Sequence, residues 1–291
     1  MASRTQWVQG ARPRTLPAAV APVAAGTGVA AFEAAASWPR ALLALGVALA
    51  LQIGVNYAND YSDGVRGTDD QRVGPLRLTA SGLARPEAVK RAAHLAFGVA
   101  ALLGLALVVL SGAWWLLLVG AAAIVSAWFY TGGSHPYGYH GLGEAFVFVF
   151  FGVVAVMGTA FVQTETLTWL AFVASVPVGL LATALLVVNN LRDIPGDAQA
   201  GKRTLAVRLG ARGTRWLYAA MVAAAFVLAL AMALVWTEWI FLTMAAVVVA
   251  VPPMGVVLGG ATGRDLIPAL RDTGRTQLAF GLLLGIALAV G

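Results

Sequence analysis

The sequence contains no cysteine and only three histidines, His94, His135 and His140. The absence of cysteine excludes a disulfide framework and thiolate chemistry. It also disfavours a zinc site, because zinc in proteins is held mainly by cysteine and histidine.

Charged residues are scarce as well: they make up 11% of the 291 residues, whereas 60% are hydrophobic. The mean hydropathy is +0.82. This composition indicates a polytopic membrane protein rather than a soluble globular one. Residues 1–10 lack the pattern of a signal peptide, so the first apolar helix is expected to remain in the mature protein.

A segment of about twenty mostly apolar residues can cross a bilayer as a helix. The sequence has nine such segments: residues 15–36, 41–61, 90–110, 113–131, 143–162, 167–192, 214–235, 238–258 and 275–291. We therefore predict an all-α polytopic membrane protein, a single domain over residues 1–291, with nine transmembrane helices around a central cavity.

The basic residues are distributed unevenly between the two sides of this arrangement. If the N-terminus is cytoplasmic, every lysine and arginine of the nineteen except Arg40 falls on the cytoplasmic side. The positive-inside rule therefore predicts a multi-pass protein of the cell membrane with a cytoplasmic N-terminus. The same bias explains the net charge of +6 without a nucleic-acid partner.

Four aspartates follow the second apolar segment within eleven residues, although the chain has only thirteen acidic residues in all. They are Asp60, Asp63, Asp69 and Asp70. If the helix continues, Asn56, Asp60 and Asp63 fall at i, i+4 and i+7 on one stripe. Such charges near a membrane cost about 2.5–3.5 kcal/mol each. A hard divalent cation with oxygen ligands would compensate them.

A second polar segment repeats the pattern after the apolar run that ends at residue 188. Asn189 and Asp193 are again four residues apart, and Asp197 follows four later. Pro195 predicts that the helix ends near Asp193, which places Asp197 in a loop. We therefore predict Asp-rich loops over residues 59–89 and 193–213 that form two halves of one site near the cytoplasmic side.

Basic residues lie beside both acidic clusters, with Arg66 in the first and Lys202 in the second. A diphosphate ester needs this mixture, because Mg²⁺ joins aspartate to phosphate and lysine or arginine neutralises the remaining charge. Aromatic faces such as Tyr130 and Tyr137 can stabilise a carbocation. The residues thus indicate a Mg²⁺-dependent prenyl- or phospho-transferring enzyme in the lipid bilayer.

The two motifs, Asn59-Asp60-x-x-Asp63 and Asp193-x-x-x-Asp197, resemble those of the UbiA superfamily of intramembrane prenyltransferases. Gly67 stands where that family has a further aspartate, so Asp69 or Asp70 is left to replace it. Three other stretches are similar to the branch that prenylates 1,4-dihydroxy-2-naphthoate: residues 11–17, 130–139 and 201–210.

The resemblance implies roles for individual residues. Mg²⁺ would be held by Asn59, Asp60, Asp63, Asp69, Asp193 and Asp197. Catalysis would involve Asp63, Asp193, Lys202 and Arg66, and substrate contacts would come from Arg14, Asn56, Asn59, Tyr130, His135, Tyr137 and Asn189. The implied reaction joins a polyprenyl diphosphate to 1,4-dihydroxy-2-naphthoate with loss of carbon dioxide, giving demethylmenaquinone for menaquinone biosynthesis.

Three alternatives stay open from the residues alone. A related enzyme would use another acceptor, such as 4-hydroxybenzoate, homogentisate, haem or a sugar phosphate. A CDP-alcohol phosphotransferase would carry one Asp-rich block, whereas this chain has two that lie far apart. A cation-coupled transporter would place its charges near mid-membrane, whereas here they follow the predicted helices.

Overall fold

The computed structural model describes residues 2–68, 74 and 76–291. Throughout these residues the regular secondary structure is helical, with no β-strand. Asp69, Asp70 and Arg72, which belong to the first acidic cluster, lie outside the described residues. The prediction of an all-α protein is confirmed for the part of the chain that is described.

Ten helices follow one another within the described residues. They are α1 (Arg4–Gly10), α2 (Pro17–Phe32), α3 (Trp38–Val65), α4 (Pro86–Ser111), α5 (Leu116–Phe129), α6 (Gly143–Thr164), α7 (Trp169–Gln199), α8 (Leu205–Val235), α9 (Glu238–Leu258) and α10 (Gly263–Val290). A π-helical turn over Phe148–Val154 interrupts α6.

Seven of these helices are long and apolar enough to cross a membrane, namely α3, α4 and α6 to α10. An eighth span results if Arg4–Thr15 and α2, which meet at 49°, are counted as one bent helix. Helix α5 has 14 residues, which gives about 21 Å of rise against about 30 Å of hydrocarbon. The chain is a multi-pass membrane protein, and the count of nine transmembrane helices stays a prediction.

The two ends of the helical bundle differ in the number of charged residues, and the richer one is called the charged end. At the charged end α3 and α7 finish and α4 and α8 begin. Arg40 lies at the opposite end, where its guanidinium donates to the carbonyls of Leu110 (2.7 Å) and Val162 (2.9 Å) and pairs with Glu165 at 2.9 Å. The one basic residue that departs from the predicted bias therefore joins the ends of three helices.

Helix α7 is longer than the sequence predicted. Pro195 does not end it, and the helix continues to Gln199, so Asp197 lies on its last turns rather than in a loop. The ending comes at Gly201, whose φ of 71° is the left-handed conformation that commonly closes a helix. Helix α3 likewise runs to Val65, so both Asp motifs lie largely on helices.

Helices α2 and α10 pack closely through small residues. A Cβ atom added to Gly28 would lie 2.5 Å from the Cα atom of Gly285, and one added to Gly281 would lie 2.6 Å from the Cβ atom of Ala21. Only glycine permits such close backbone approach between membrane helices. This interface closes one side of the bundle.

Candidate active site

A cavity of about 750 Å³ lies within the bundle, and its polarity changes along its length. At the charged end it is lined by Asp63, Arg77, Arg192, Asp197 and Lys202. It then continues between apolar side chains as far as Leu116 and Val162, which lie at the opposite end beside the residues that Arg40 joins. Among the described residues, the cavity therefore combines a long apolar channel with a group of ionic side chains at one end.

The two Asp motifs meet at this charged end. The Nζ atom of Lys202 lies 3.2 Å from Oδ1 of Asp63 and 3.9 Å from Oδ1 of Asp197. One ammonium group thus bridges a carboxylate from α3 and a carboxylate from α7, although these residues are far apart in sequence. The structure brings together the two halves of the site that the matched spacing predicted.

Asp63 is buried, with 2% of its surface exposed, and several donors compensate its charge. The hydroxyl of Tyr139 donates to Oδ1 at 2.6 Å, and Thr68 donates to the same oxygen at 3.3 Å. The guanidinium of Arg77 lies 3.8 Å from Oδ2. Burying a carboxylate is costly unless it is paired, and these groups supply the partners of Asp63.

Tyr139 lies between the two charges of this site. Burial, followed by the negative charge of Asp63, raises the pKa of Tyr139 above its ordinary value. The phenol therefore stays protonated and donates to Asp63, while its ring lies 4.5 Å from Nζ of Lys202. Burial also raises the pKa of Tyr137, whose hydroxyl donates to the carbonyl of Ser126 at 2.9 Å.

Two asparagines of α3 line the cavity next to Asp63. Asn56 donates to the carbonyl of Ala11 at 2.9 Å, which ties α3 to the N-terminal segment. Asn59 accepts a hydrogen bond from the hydroxyl of Thr131 at 2.8 Å. Both amides are thus held in fixed orientations at the wall where they were predicted to bind substrate.

Asp60, predicted as a metal ligand, does not line the cavity. Its oxygens accept hydrogen bonds from the backbone amides of Leu78 (2.7 Å) and Thr79 (2.9 Å), and only 1% of the residue is exposed. On a helix Asp60 is about 100° from Asn59. The cavity faces the stripe of Asn59 and Asp63, and Asp60 instead fixes the backbone that follows the first motif. Its role as a metal ligand stays a prediction.

In the second motif Asn189 lines the cavity, and its Oδ1 accepts from Arg192 at 2.9 Å. Asp193 is buried and forms a bidentate pair with Arg192, with both N–O distances 2.7 Å. Asp193 does not line the cavity, whereas Arg192 does. The position of Asp193 therefore suits holding the guanidinium of Arg192 in place. It does not suit direct contact with a ligand in the cavity.

Arg66, predicted to contact phosphate, lies outside the cavity lining and is exposed. Its guanidinium donates to the carbonyls of Thr131 and Gly133, and its Cζ atom lies 5.4 Å from the centre of the Tyr139 ring. Since Arg66 follows the last residue of α3, it points across to the segment after α5. In the structure Arg66 holds that segment, and its contact with phosphate stays a prediction.

Of the two residues predicted near the acceptor, one reaches the cavity. Arg14 lies at its mouth, in a short 3₁₀ helix before α2. His135 is exposed beside Ser134, 3.0 Å from its hydroxyl, and does not line the cavity. Gly133, with φ of 75°, precedes this exposed part of the segment, and a substrate contact of His135 stays a prediction.

Gly67 stands where a further aspartate was expected, and its backbone explains the difference. Its φ is 72°, and the next amide, of Thr68, donates to the carbonyl of Asp63 at 3.1 Å. Such a left-handed residue ends a helix and favours glycine. Asp69 and Asp70, the two proposed replacements, lie outside the described residues.

Sequence reasoning did not assign the roles that three residues have at the site. Arg77 was attributed to membrane topology, yet it is buried and lines the cavity. Tyr139 was considered only as an aromatic wall, whereas its hydroxyl donates to Asp63 at 2.6 Å. Arg271 enters the lining from α10. No spacing pattern marks any of them, because each arrives from a segment distant in sequence.

Oxygen donors suited to a hard cation line the charged end: Asn59, Asp63, Asn189 and Asp197. Within the described residues, no group of three or more aspartate, glutamate, histidine or cysteine side chains is close enough to hold a metal ion. Mg²⁺ does not need such a cage, since it usually binds through one or two carboxylates together with substrate phosphates. The donor set fits an ion shared with a phosphorylated ligand.

These features define an intramembrane enzyme whose ionic groups lie at one end of an apolar cavity. Residues 19–259 match the UbiA prenyltransferase family, and the chain belongs to that family. It is therefore a prenyltransferase.

A relative from Mycobacterium tuberculosis, 1,4-dihydroxy-2-naphthoate octaprenyltransferase, is 56% identical over 291 residues, which cover 100% of this chain and 99% of the relative. The apo structure of a UbiA homolog from Aeropyrum pernix has a TM-score of 0.70 at 16% identity, covering 94% of this chain and 97% of the homolog. A UbiA homolog from Archaeoglobus fulgidus bound to GPP and Mg²⁺ has a TM-score of 0.66 at 14% identity, covering 98% of this chain and 100% of the homolog. At these identities the two structures establish the fold alone.

Proposed function

We propose that the protein transfers a polyprenyl group from a polyprenyl diphosphate to 1,4-dihydroxy-2-naphthoate. The carboxylate of the acceptor is lost as carbon dioxide, and the product is demethylmenaquinol, a precursor of menaquinone. The observation that carries this proposal is Lys202 between Asp63 and Asp197 at the charged end of an apolar cavity. The choice of acceptor is supported by the 56% identity to the 1,4-dihydroxy-2-naphthoate octaprenyltransferase of Mycobacterium tuberculosis.

The polarity of the cavity matches a prenyl diphosphate. Lys202, Arg77 and Arg192 supply the cationic groups that a diphosphate needs. The apolar remainder suits the prenyl chain, and Gly104 and Gly158 widen it, because a Cβ atom added at either position would meet nothing within 4 Å. The charged end would hold the headgroup while the chain extends toward the opposite end.

Mg²⁺ is the proposed cofactor. Asn59, Asp63 and Asp197 would hold it together with oxygens of the diphosphate, consistent with the hard-oxygen donor set of this end. When bound, it neutralises the diphosphate and stabilises the charge that builds on the leaving group.

The cationic side chains would assist departure of the diphosphate. As the bond between the allylic carbon and oxygen breaks, Lys202, Arg77 and Arg192 stabilise the negative charge on the leaving group. Aromatic faces beside them, of Tyr137 and Phe146, stack with centroids 4.0 Å apart at the cavity wall. Their π faces attract the positive charge that develops on the prenyl carbon.

The mouth of the cavity carries a second group of cations. Arg12 and Arg14 line it from the N-terminal segment, and Arg271 lines it from α10. A carboxylated aromatic acceptor needs an anion site separate from the diphosphate, and these arginines provide one. They would orient the ring so that the carbon bearing the carboxylate faces the prenyl group. We further infer from the basic bias that this end, and the N-terminus, face the cytoplasm.

The test is direct turnover by detergent-purified protein. It is incubated with Mg²⁺, a polyprenyl diphosphate and 1,4-dihydroxy-2-naphthoate, and products are identified by mass, with 4-hydroxybenzoate and EDTA as controls. We expect a prenylated, decarboxylated naphthoquinol that EDTA abolishes. Product from 4-hydroxybenzoate alone would overturn the acceptor, and an intact diphosphate with every aromatic tested would overturn prenyl transfer to them.

A further inference from the structure

A buried carboxylate lies directly behind the cavity wall and has no part in the mechanism above. Glu144 is the second residue of α6, is 6% exposed and does not line the cavity. Its Oε1 atom accepts a hydrogen bond from Nδ2 of Asn190 at 3.0 Å. Asn190 belongs to α7 and does line the cavity. The pair therefore forms two layers: Asn190 faces the cavity, and Glu144 lies behind it.

Burying the carboxylate of Glu144 costs free energy, so its buried position needs an explanation. An ionised carboxylate in an apolar environment is destabilising unless paired. Position at a helix N-terminus offsets part of that cost. Within the described part of the chain, the only side chain that donates to Glu144 is Asn190. The role of Glu144 must therefore be sought in its effect on Asn190.

The acid fixes which way the amide of Asn190 points. An asparagine side chain can present either its NH₂ group or its oxygen, and the choice depends on its partners. In the structure the NH₂ group of Asn190 donates to Oε1 of Glu144, so Oδ1 of Asn190 points away from the acid. Among the described residues, none donates to Oδ1 of Asn190, whereas Oδ1 of the adjacent Asn189 accepts from Arg192. Asn190 therefore keeps an open acceptor at the cavity wall.

The surroundings of this acceptor suit an aromatic ring with a hydroxyl group. Tyr130, Tyr137 and Phe146 line the same part of the cavity. Gly143 lets the Tyr130 ring pack closely against the start of α6, because a Cβ atom at that position would lie 3.1 Å from the ring. An aromatic wall with one oriented oxygen is complementary to a phenolic donor.

We propose that Oδ1 of Asn190 accepts a hydrogen bond from a ring hydroxyl of the aromatic acceptor, and that Glu144 is the positioning residue that orients it. This inference rests on the proposed function and deepens it, since it assigns the site that recognises the hydroxyl. A site built to bond a hydroxyl discriminates strongly against an analogue that lacks it. Asn190 thereby contributes to acceptor choice independently of the arginines at the mouth.

The first test separates the KM of the acceptor from the KM of the prenyl diphosphate. In E144Q and N190A we expect the KM for 1,4-dihydroxy-2-naphthoate to rise about 10-fold, while the KM for the prenyl diphosphate stays unchanged. A purely structural role would lower kcat through loss of folded protein without producing this split. E238Q is the matched control, because Glu238 is exposed, and we expect it to leave both constants unchanged.

The second test reverses the polarity of the pair. N190D places two carboxylates in contact, which is unfavourable, and we expect the acceptor KM to rise about 100-fold or more. E144Q/N190D restores a donor facing an acceptor and again leaves an oxygen toward the cavity, with the same net charge as the native pair. We expect the double variant to recover most of the acceptor KM that N190D loses.

Two results would overturn the inference while leaving the proposed function intact. One is an equal rise of both KM values in E144Q. The other is a double variant no better than N190D. Failure of the wild-type protein to prenylate 1,4-dihydroxy-2-naphthoate would instead refute the proposed function, so the two failures are distinguishable. Because KM is compared between two substrates in one preparation, partial unfolding of a variant does not obscure the result.

Discussion

The two Asp motifs look alike in sequence, yet the structure uses them differently. Each pairs an asparagine with an aspartate four residues later, at Asn56 and Asp60 and at Asn189 and Asp193. In each case that aspartate is turned away from the cavity, and a later aspartate reaches it. The later ones, Asp63 and Asp197, are those that Lys202 bridges. Helical spacing therefore located the motif in the sequence but did not predict which carboxylate faces the cavity.

The two aspartates that are turned away from the cavity differ in what they hold. Asp60 binds the backbone amides of Leu78 and Thr79, so it fixes the chain that returns from the first motif. Asp193 binds the guanidinium of Arg192, which itself lines the cavity. One carboxylate of the first motif thus stabilises the fold, whereas one carboxylate of the second motif orients a cationic group of the site.

Removing either cavity carboxylate should have the largest effect. D63N and D197N each keep the shape of the side chain but remove a charge that Lys202 bridges. We expect kcat/KM for prenyl transfer to fall about 100- to 1,000-fold, as when a positioned electrostatic group is lost. Initial rates at saturating Mg²⁺ measure this.

The amount of folded protein, measured by size-exclusion chromatography in detergent, should not change in these two variants. If D197N retained near-native activity while D63N did not, the two motifs would not contribute equally to one site.

Loss of the carboxylate at Asp60 should act on stability instead. D60N leaves one amide oxygen for two buried backbone donors, Leu78 and Thr79. We expect a loss of about 1.5–3 kcal/mol in stability, seen as a lower thermal midpoint in detergent. Activity per folded molecule should fall far less than in D63N. The control is D265N, because Asp265 is exposed near the start of α10.

A D60N protein as stable as the wild type but as inactive as D63N would show that Asp60 binds the ligand after all.

The fold was largely predictable from the sequence, because apolar runs of membrane length dominate it. The helix ends were less predictable. Pro195 disfavours the helical conformation in the residue before it, but that bias was overridden. The ending was set instead by Gly201, whose left-handed φ a glycine can adopt without strain. At the end of α3, Gly67 has the same role.

The site was predictable only where its residues belong to a local pattern. Asp63, Asp197 and Lys202 lie in motifs and reach the cavity. Arg77 and Asn190 have no such signal, since their burial and partners arise from packing between distant segments. Long-range packing also sets which predicted residues are buried: the packing of the segment after α5 leaves His135 exposed.

The smallest expected effect concerns Tyr139, which serves the first motif by donating to Asp63 at 2.6 Å. Because burial and the charge of Asp63 raise its pKa, the folded state favours the neutral phenol. Its contribution to stability is therefore complete below the unfolded pKa of about 10 and is lost as pH rises through the raised value. The thermal midpoint of the wild type should fall above about pH 10, and Y139F should flatten that fall, leaving the part due to Tyr137. At neutral pH, Y139F should lower kcat/KM by about 10-fold or less, since Asp63 keeps its other donors. An equally steep alkaline loss in Y139F would mean that the phenol does not stabilise the first motif.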